Sequence, residues 1–524
     1  MALSRFPPSI VQRTTLQDIL LSLISGIALT LSFPKFDLSF LVWFSLVPLL
    51  IVIERRSPGK AFFLGWLTGV TYFISLLYWV TNSMTNYGNL SMIISLLLLV
   101  FLSLYLGLYV GIFGGILSFF RVHYLDEPGA TAPLIWVLLE YLRTYLLTGF
   151  PWGLLGYSQY QNLILIQMCD ITGVYGVSFI IVMVNAAIYL IIKWSKFHQA
   201  TFPFRYTFLT LGLFLLVIGY GNFRKEKVQL INKRSPHLRV SIIQGNIEQK
   251  KKWDPNYFYN ILLIHQKLTL EASRIHPDLV IWPETAVPCY FFPELKYAPF
   301  LQSLSERINT PIIFGSLTLE TKNDNDKPTY YNSAFLALPG EKFFPRYDKI
   351  HLVPFGEYVP LKFLFPFVEK MVVGIGDFSA GHRYTLFSIP YARFGVLICY
   401  EVIFPSLSCR YRRLGADFLV NITNDAWFGR TGAPYQHFSM AVFRAIENRV
   451  ALVRAANTGI SGIISPIGYI QAKTPLFVRT FIQGEIPANP QQPTFYSRYG
   501  DVGVAFCGII ILILILRPIF RKYP

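Results

Sequence analysis

Apolar residues dominate the first 220 positions and thin out abruptly after them. Long runs occupy residues 16–32, 40–53, 61–80, 92–119, 132–146, 174–192 and 206–220, and one more lies at 502–516. Several approach the ~20 residues that an α-helix needs to cross a hydrocarbon core of ~30 Å. The pattern therefore predicts a membrane α-helical bundle of about eight helices, seven in residues 1–221 and one in 499–524. The first run follows Arg5 and Arg13 as a signal peptide would, but Phe33-Pro34-Lys35 offers no small-residue cleavage site, so an anchor is expected. Between these parts, residues 222–498 are polar overall. Short apolar, β-branched stretches recur there at 238–244, 279–282, 312–319, 334–338, 395–399, 418–422 and 452–455, with helical periodicity at 257–275 and 436–449. Fully apolar strands alternating with helices predict an α/β domain whose sheet is covered by helices.

Composition agrees with a chain partly dissolved in lipid: 53% of its 524 residues are hydrophobic and 14% are charged. The net charge of +17 first suggests nucleic acid. Its placement says otherwise, because the basic residues cluster in short loops beside apolar runs. With the N-terminus in the cytoplasm, Arg55, Arg56, Lys60, Arg121, Lys193, Lys196, Arg205, Arg517, Arg521 and Lys522 all fall inside, whereas the outer loop 81–89 has no Lys or Arg. This positive-inside bias puts the 222–498 domain on the outer face and argues against a nucleic-acid partner. Cys169, Cys289, Cys399, Cys409 and Cys507 form no CxxC pair and, being odd in number, no complete disulfide framework. Without a His cluster or a Gly-rich phosphate loop, neither a metal nor an organic cofactor is expected.

Three local patterns carry candidate chemistry. Ile281-Trp282-Pro283-Glu284-Thr285 places a carboxylate just after an apolar strand, as suits a general base or an ordinary turn residue. In Arg346-Tyr347-Asp348-Lys349-Ile350-His351, a lysine stands among apolar and aromatic neighbours. There it can stabilise a thiolate or an oxyanion, or merely snorkel from a surface loop. Gly395-Val396-Leu397-Ile398-Cys399-Tyr400-Glu401 runs an apolar strand straight into a cysteine, which is either a nucleophile on a rigid element or a buried strand thiol. His351 is read as structural.

Taken together, Glu284, Lys349 and Cys399 resemble the Glu–Lys–Cys set of the nitrilase, or carbon–nitrogen hydrolase, superfamily. The likeness extends through Gln244-Gly245-Asn246-Ile247, Asn424-Asp425-Ala426-Trp427-Phe428-Gly429, Arg444-Ala445-Ile446-Glu447-Asn448-Arg449 and Arg454-Ala455-Ala456-Asn457-Thr458-Gly459. It implies a four-layer αββα sandwich for the polar domain. The membrane frame, the loop from His351 through Val353-Pro354-Phe355-Gly356-Glu357-Tyr358 to Pro360, Gly149-Phe150-Pro151-Trp152 and Trp253 resemble one membrane branch, the bacterial apolipoprotein N-acyltransferases. That likeness implies a multi-pass inner-membrane enzyme, monomeric and free of cofactor, with a phospholipid (phosphatidylethanolamine) as acyl donor and a diacylglyceryl apolipoprotein as acceptor. Cys399 would carry the acyl group as a thioester. Glu284 would move protons and Lys349 would hold the oxyanion. Glu357 and Glu401 would orient Lys349 or Cys399, and Trp253 and Tyr400 would shape the pocket. Phe291, Phe292, Phe355 and Phe365 are candidates for either a lipid-facing entrance or core. Two rivals share parts of the pattern. One is a membrane-tethered amidase or nitrilase acting on a small soluble molecule. The other is a transporter or receptor, which intramembrane charges such as Glu140 and Arg143 would favour.

Overall fold

The structure, a computed structural model, describes residues 14–54, 56–123, 131–197, 201–321, 327–359, 378–488 and 492–521. Arg5, Arg13, Arg55, Pro360, Phe365 and Lys522, all named above, lie outside the described residues. The chain forms two compact units. One takes residues 1–81, 91–222 and 501–524, and the other takes 82–90 and 223–500.

The first unit is helical. Its elements are α1 (Leu16–Leu31), α2 (Val47–Ile53) and α3 (Pro58–Leu76), the start of α4 (Val80–Asn86), then α5 (Met92–His123), α6 (Ala132–Tyr145) and α7 (Cys169–Phe197). Helix α8 (Phe204–Arg234) follows, running past the apolar stretch that predicted it. Among the described residues, the helical stretches Met92–Arg121, Leu165–Lys196 and Phe204–Arg234 are long and apolar enough to cross a membrane, and the bent pair of α3 and α4 makes a fourth candidate. The runs at 16–32, 40–53 and 502–516 give shorter apolar helices, so length and composition support three or four spans where eight were expected. Helices α3 and α5 come close together at glycines on both. A Cβ on Gly69 would stand 2.8 Å from the Cα of Gly107, the close approach by which small residues join helices in lipid.

Glu140 and Arg143, the charges that could have marked a transport path, instead satisfy backbone. Arg143 donates to the carbonyls of Phe150 (3.2 Å), Trp152 (2.5 Å) and Gly153 (3.2 Å). Glu140 accepts from Leu155 N (2.8 Å) and Trp136 Nε1 (2.9 Å). A non-helical stretch inside a helical bundle needs such partners, because lipid offers none.

The second unit holds two sheets. The first has the order β13-β1-β2-β4-β5-β6, with β3 also paired to β4. Its strands are β1 (His237–Gln244), β2 (Leu279–Ile281), β3 (Val287–Phe292), β4 (Ile312–Glu320), β5 (Thr329–Ala337), β6 (Arg346–Asp348) and β13 (Thr480–Pro487). The second sheet runs β12-β11-β10-β9-β8-β7, from β7 (Leu386–Ile389), β8 (Ala392–Ile398), β9 (Phe418–Thr423), β10 (Ala451–Ala456), β11 (Gly462–Ile464) and β12 (Ile470–Lys473). Strands β1, β2 and β4 are parallel, as are β8, β9 and β10.

The sheets face each other where β1 approaches β10 and β5 approaches β8. Helices α10 (Phe258–Ala272) and α11 (Ala298–Ile308) cover the first sheet, burying Leu262, Leu301 and Leu304 against Val280, Trp282 and Phe314. Helices α12 (Pro405–Leu414) and α13 (Ala433–Asn448) lie against the second. Burial on both faces is why these strands read as continuous apolar runs. Residues 82–90 belong to this unit: Asn82 and Ser83 donate to the carbonyl of Trp427, Tyr87 Oη donates to that of Ala426, and the Tyr87 ring packs on Trp427.

Candidate active site

Each of the three candidate catalytic side chains sits just beyond a strand. Glu284 follows β2, Lys349 follows β6 and Cys399 follows β8. All three are buried, at 6%, 1% and 9% exposure. Lys349 Nζ is 2.8 Å from Glu357 Oε1. Asn332, on β5, donates one Nδ2 proton to Glu284 Oε1 (2.8 Å) and the other to Glu357 Oε1 (3.0 Å). An unbroken path of bonds thus runs from Glu284 through Asn332 and Glu357 to Lys349. Cys399 stands within electrostatic reach of both Glu284 and Lys349.

The charges follow from burial and from these neighbours. Burial pushes the Cys399 thiol up to about 12. The negative Glu284 adds to the rise, and Lys349 opposes it. The sulfur is therefore a thiol at neutral pH and needs a base to become a nucleophile. Burial alone would discharge Lys349, but Glu357, Cys399 and Glu284 outweigh it and hold the ammonium above its ordinary range. It is a fixed cation across the physiological range.

The Cys399 turn is strained and braced. Cys399 has φ 52°, in the left-handed region that L-residues avoid. Thr285 (φ 48°), next to Glu284, and Phe355 (φ 59°), between Lys349 and Glu357, share that conformation. Strain of this kind costs ~1–3 kcal/mol per residue and persists only where the surroundings enforce it. Glu401 enforces it at Cys399. Its carboxylate accepts from Ile398 N (2.7 Å), Ile350 N (2.7 Å), His351 N (3.1 Å) and Tyr347 Oη (2.8 Å). One side chain thereby fastens the cysteine turn to the lysine loop. Burial pushes Glu401 up to about 7 against these bonds.

Behind the turn, Asp425 pairs with Arg454 (2.8 Å) and His437 (3.0 Å) in a fully buried cluster. Burial would raise the Asp425 carboxyl, yet Arg454 and His437 bring it down to about 2. Gly315 on β4 completes the support from the other sheet. A Cβ there would meet Thr285 N and stand 2.7 Å from Glu284 Cα, so only glycine lets the Glu284 loop lie down.

The supporting candidates divide. Glu357 and Glu401 touch the site as described. Tyr400 is buried with its ring on Phe404 (5.2 Å between centroids), and His351 stacks on the same Phe404 (3.8 Å), consistent with a structural histidine. Trp253 is half exposed. Phe291 belongs to the core beside Phe314 and Phe335, whereas Phe292 and Phe355 are exposed. Sequence reading missed two residues. Asn332 lies in a strand with no motif around it, and Lys252 ends the run Lys250-Lys251-Lys252, which resembles a solvated face. No cluster of metal-ligating side chains occurs among the described residues.

Comparison with known proteins gives this geometry a family. Residues 25–187 match the apolipoprotein N-acyltransferase N-terminal domain, and residues 239–516 match the carbon–nitrogen hydrolase family. The apolipoprotein N-acyltransferase of Geobacter metallireducens is 45% identical over 497 residues, spanning 94% of this chain and 93% of that protein. The chain belongs to the apolipoprotein N-acyltransferase family. More distant apolipoprotein N-acyltransferases share the same extent. That of Rickettsia prowazekii is 32% identical over 96% of this chain and 98% of its own length, and that of Haemophilus influenzae is 33% identical over 94% of each. Glu284, Lys349 and Cys399 all fall within the carbon–nitrogen hydrolase match.

Proposed function

We propose that the chain N-acylates apolipoproteins through a thioester on Cys399, taking the acyl group from a phospholipid such as phosphatidylethanolamine. The observation that carries this reading is the bonded path Glu284–Asn332–Glu357–Lys349 beside a cysteine on a strained strand-end turn. In the first half-reaction the Cys399 thiol gives its proton to Glu284, and sulfur attacks the ester carbonyl. Lys349 and main-chain N–H at the Cys399–Tyr400 turn stabilise the oxyanion. As the C–O bond breaks, Glu284 returns the proton to the leaving lysophospholipid hydroxyl. In the second, the free α-amine of a diacylglyceryl-cysteine attacks the thioester. The C–N bond forms as the C–S bond breaks, and Glu284 takes a proton from nitrogen and passes it to the departing sulfur, which leaves as thiol. Glu357 orients Lys349, and Glu401 ties the two loops.

Both substrates carry lipid chains, which suits a domain held by apolar helices at the periplasmic face of the inner membrane. Exposed Trp253 and Phe355 are the aromatic groups that would meet those chains. Water must be kept from the thioester for transfer to prevail over hydrolysis.

The test uses purified protein in detergent with fluorescent phosphatidylethanolamine and a diacylated lipopeptide. Intact mass should show one acyl group on the Cys399 peptide, discharged by the lipopeptide. Amide hydrolysis without transfer would instead favour a membrane-tethered amidase. Cys399→Ala should form no adduct, and a stable acyl adduct on that variant refutes the nucleophile assignment. Lys349→Ala should abolish acylation, and near-native turnover removes it from the catalytic set.

A further inference from the structure

The site holds one buried cation more than the Glu–Lys–Cys set uses. Lys349 is paired with Glu357. Lys252, at the end of the short helix α9 (Gln249–Lys252), is 3% exposed, while its neighbours Lys250 and Lys251 reach solvent. Its Nζ donates to the main-chain oxygen of Glu284 (2.9 Å) and lies within electrostatic reach of the Glu284 carboxylate and of Cys399. On Glu284 the carboxylate oxygen Oε2 is buried without a hydrogen-bond partner among the described residues.

The segment carrying Lys252 is pinned. Asn457 exchanges bonds with both main-chain groups of Ile247 (2.9 and 2.8 Å), and Asn424 Nδ2 donates to Gln249 Oε1 (2.7 Å). Burying an ammonium is costly unless an anion compensates. Lys349 is bonded to Glu357, and Lys252 is the buried cation whose own hydrogen bond goes to Glu284.

We propose that Lys252 is a positioning residue of this reaction centre, holding the Glu284 carboxylate in place as the base for Cys399. The inference rests on the acyl-transfer reading for its substrate, though not for its charge chemistry. Lys252 acts through Glu284 and need not touch the lipid. The titratable groups facing it are Glu284 after β2, Cys399 after β8 and His265 on α10. His265 is neutral, because burial pushes it down to about 4. Burial likewise pulls Lys252 down to about 8, with Glu284 and Cys399 opposing. The lysine is therefore charged below that pH, and its support for Glu284 is lost as pH rises through it.

The experiment compares Lys252→Met and Lys252→Arg in the full chain in detergent. Two readouts are taken: alkylation of Cys399 by iodoacetamide at pH 7 without lipid, and the pH profile of thioester formation from phosphatidylethanolamine. Lys252→Met should slow both by about tenfold or more, since one pKa unit at the thiol is a factor of ten in thiolate. Lys252→Arg should stay within about threefold and move the alkaline limb of thioester formation upward, because guanidinium does not titrate there. Unchanged alkylation in Lys252→Met overturns the proposal, including the case where thioester formation alone is lost. If Lys252→Met does not fold, Lys252→Arg decides: a limb moved upward upholds the proposal, and a limb at the native pH overturns it. A native chain that alkylates but never forms the thioester refutes the acyl-transfer reading, while the alkylation comparison still decides the role of Lys252.

Discussion

Asn332 keeps two carboxylates at a fixed separation by giving each a proton, and nothing in its own neighbourhood of sequence says so. Its role exists only once β5 is set between loops from residues 284 and 357. Asn332→Ala should slow thioester formation by about 10- to 100-fold, because Glu284 and the Lys349–Glu357 pair lose their common tether. Single-turnover acylation measures it, and a rate within twofold of native would sink the tether. Lys252 was hidden for a related reason. Three consecutive lysines read as a solvated face, and only burial tells Lys252 from Lys251, which pairs with exposed Glu248 at the surface. Glu284 and Cys399 stood out because each follows an apolar run, and such a run declares its own end; Lys349, after Arg346-Tyr347-Asp348, stood out only through its resemblance to the family set.

At the scale of elements, the central strands were readable and the edges were not. Strands β1, β2, β4, β8, β9 and β10 are apolar on both faces and announced themselves. Strands β12 and β13 are only partly buried, so their composition is mixed, and β6 is three residues long. The helix around 436–449 begins three residues earlier, at Ala433, because Pro434 is well placed in a first turn.

Two predictions belong to this scale. Gly315→Ala must push β4 and the Glu284 loop apart. It should cost ~1–3 kcal/mol, as overpacking does, and reduce acylation by at least about tenfold; chemical denaturation and the acylation rate check the two parts. Asp425 links the end of β9 to β10 through Arg454 and to α13 through His437. Its carboxyl is held below the unfolded value, so its contribution is present above about pH 4 and is lost as pH falls toward about 2. Asp425→Asn should remove that acid-sensitive component and destabilise the domain by ~3–5 kcal/mol, leaving Arg454 buried without its anion. Unfolding followed against pH in detergent would reveal a slope unchanged by the substitution if the cluster were not ionic.

Over the whole molecule, the sequence conveys the division between a lipid-compatible half and an α/β half better than it conveys the borders. Helix α8 continues to Arg234, beyond the apolar run, because a helix stops where its backbone partners stop and not where its hydrophobicity does. Residues 82–90, which read as a bare outer loop, side with the α/β unit because Trp427 offers them a carbonyl and a ring. The charge bias along the chain makes a prediction at this scale. Tyr391→Cys, at a position 78% exposed in the α/β unit, should react with a membrane-impermeant maleimide applied to intact spheroplasts. Lys196→Cys, exposed near the end of α7, should react only after permeabilisation. The opposite pattern would invert the topology and remove periplasmic substrates from consideration.

The bend at position 399 reverses an ordinary ranking. In most folded settings alanine is the safer replacement and glycine the more disruptive one, because glycine has more freedom to lose. Here the backbone already occupies a well that a Cβ disfavours, so Cys399→Gly should outlast Cys399→Ala by about 1 kcal/mol. A chain selected for heat resistance alone would drift toward the residue that cannot react. Keeping a thiol there means accepting a weaker bend for the sake of a sulfur atom held where it can be used.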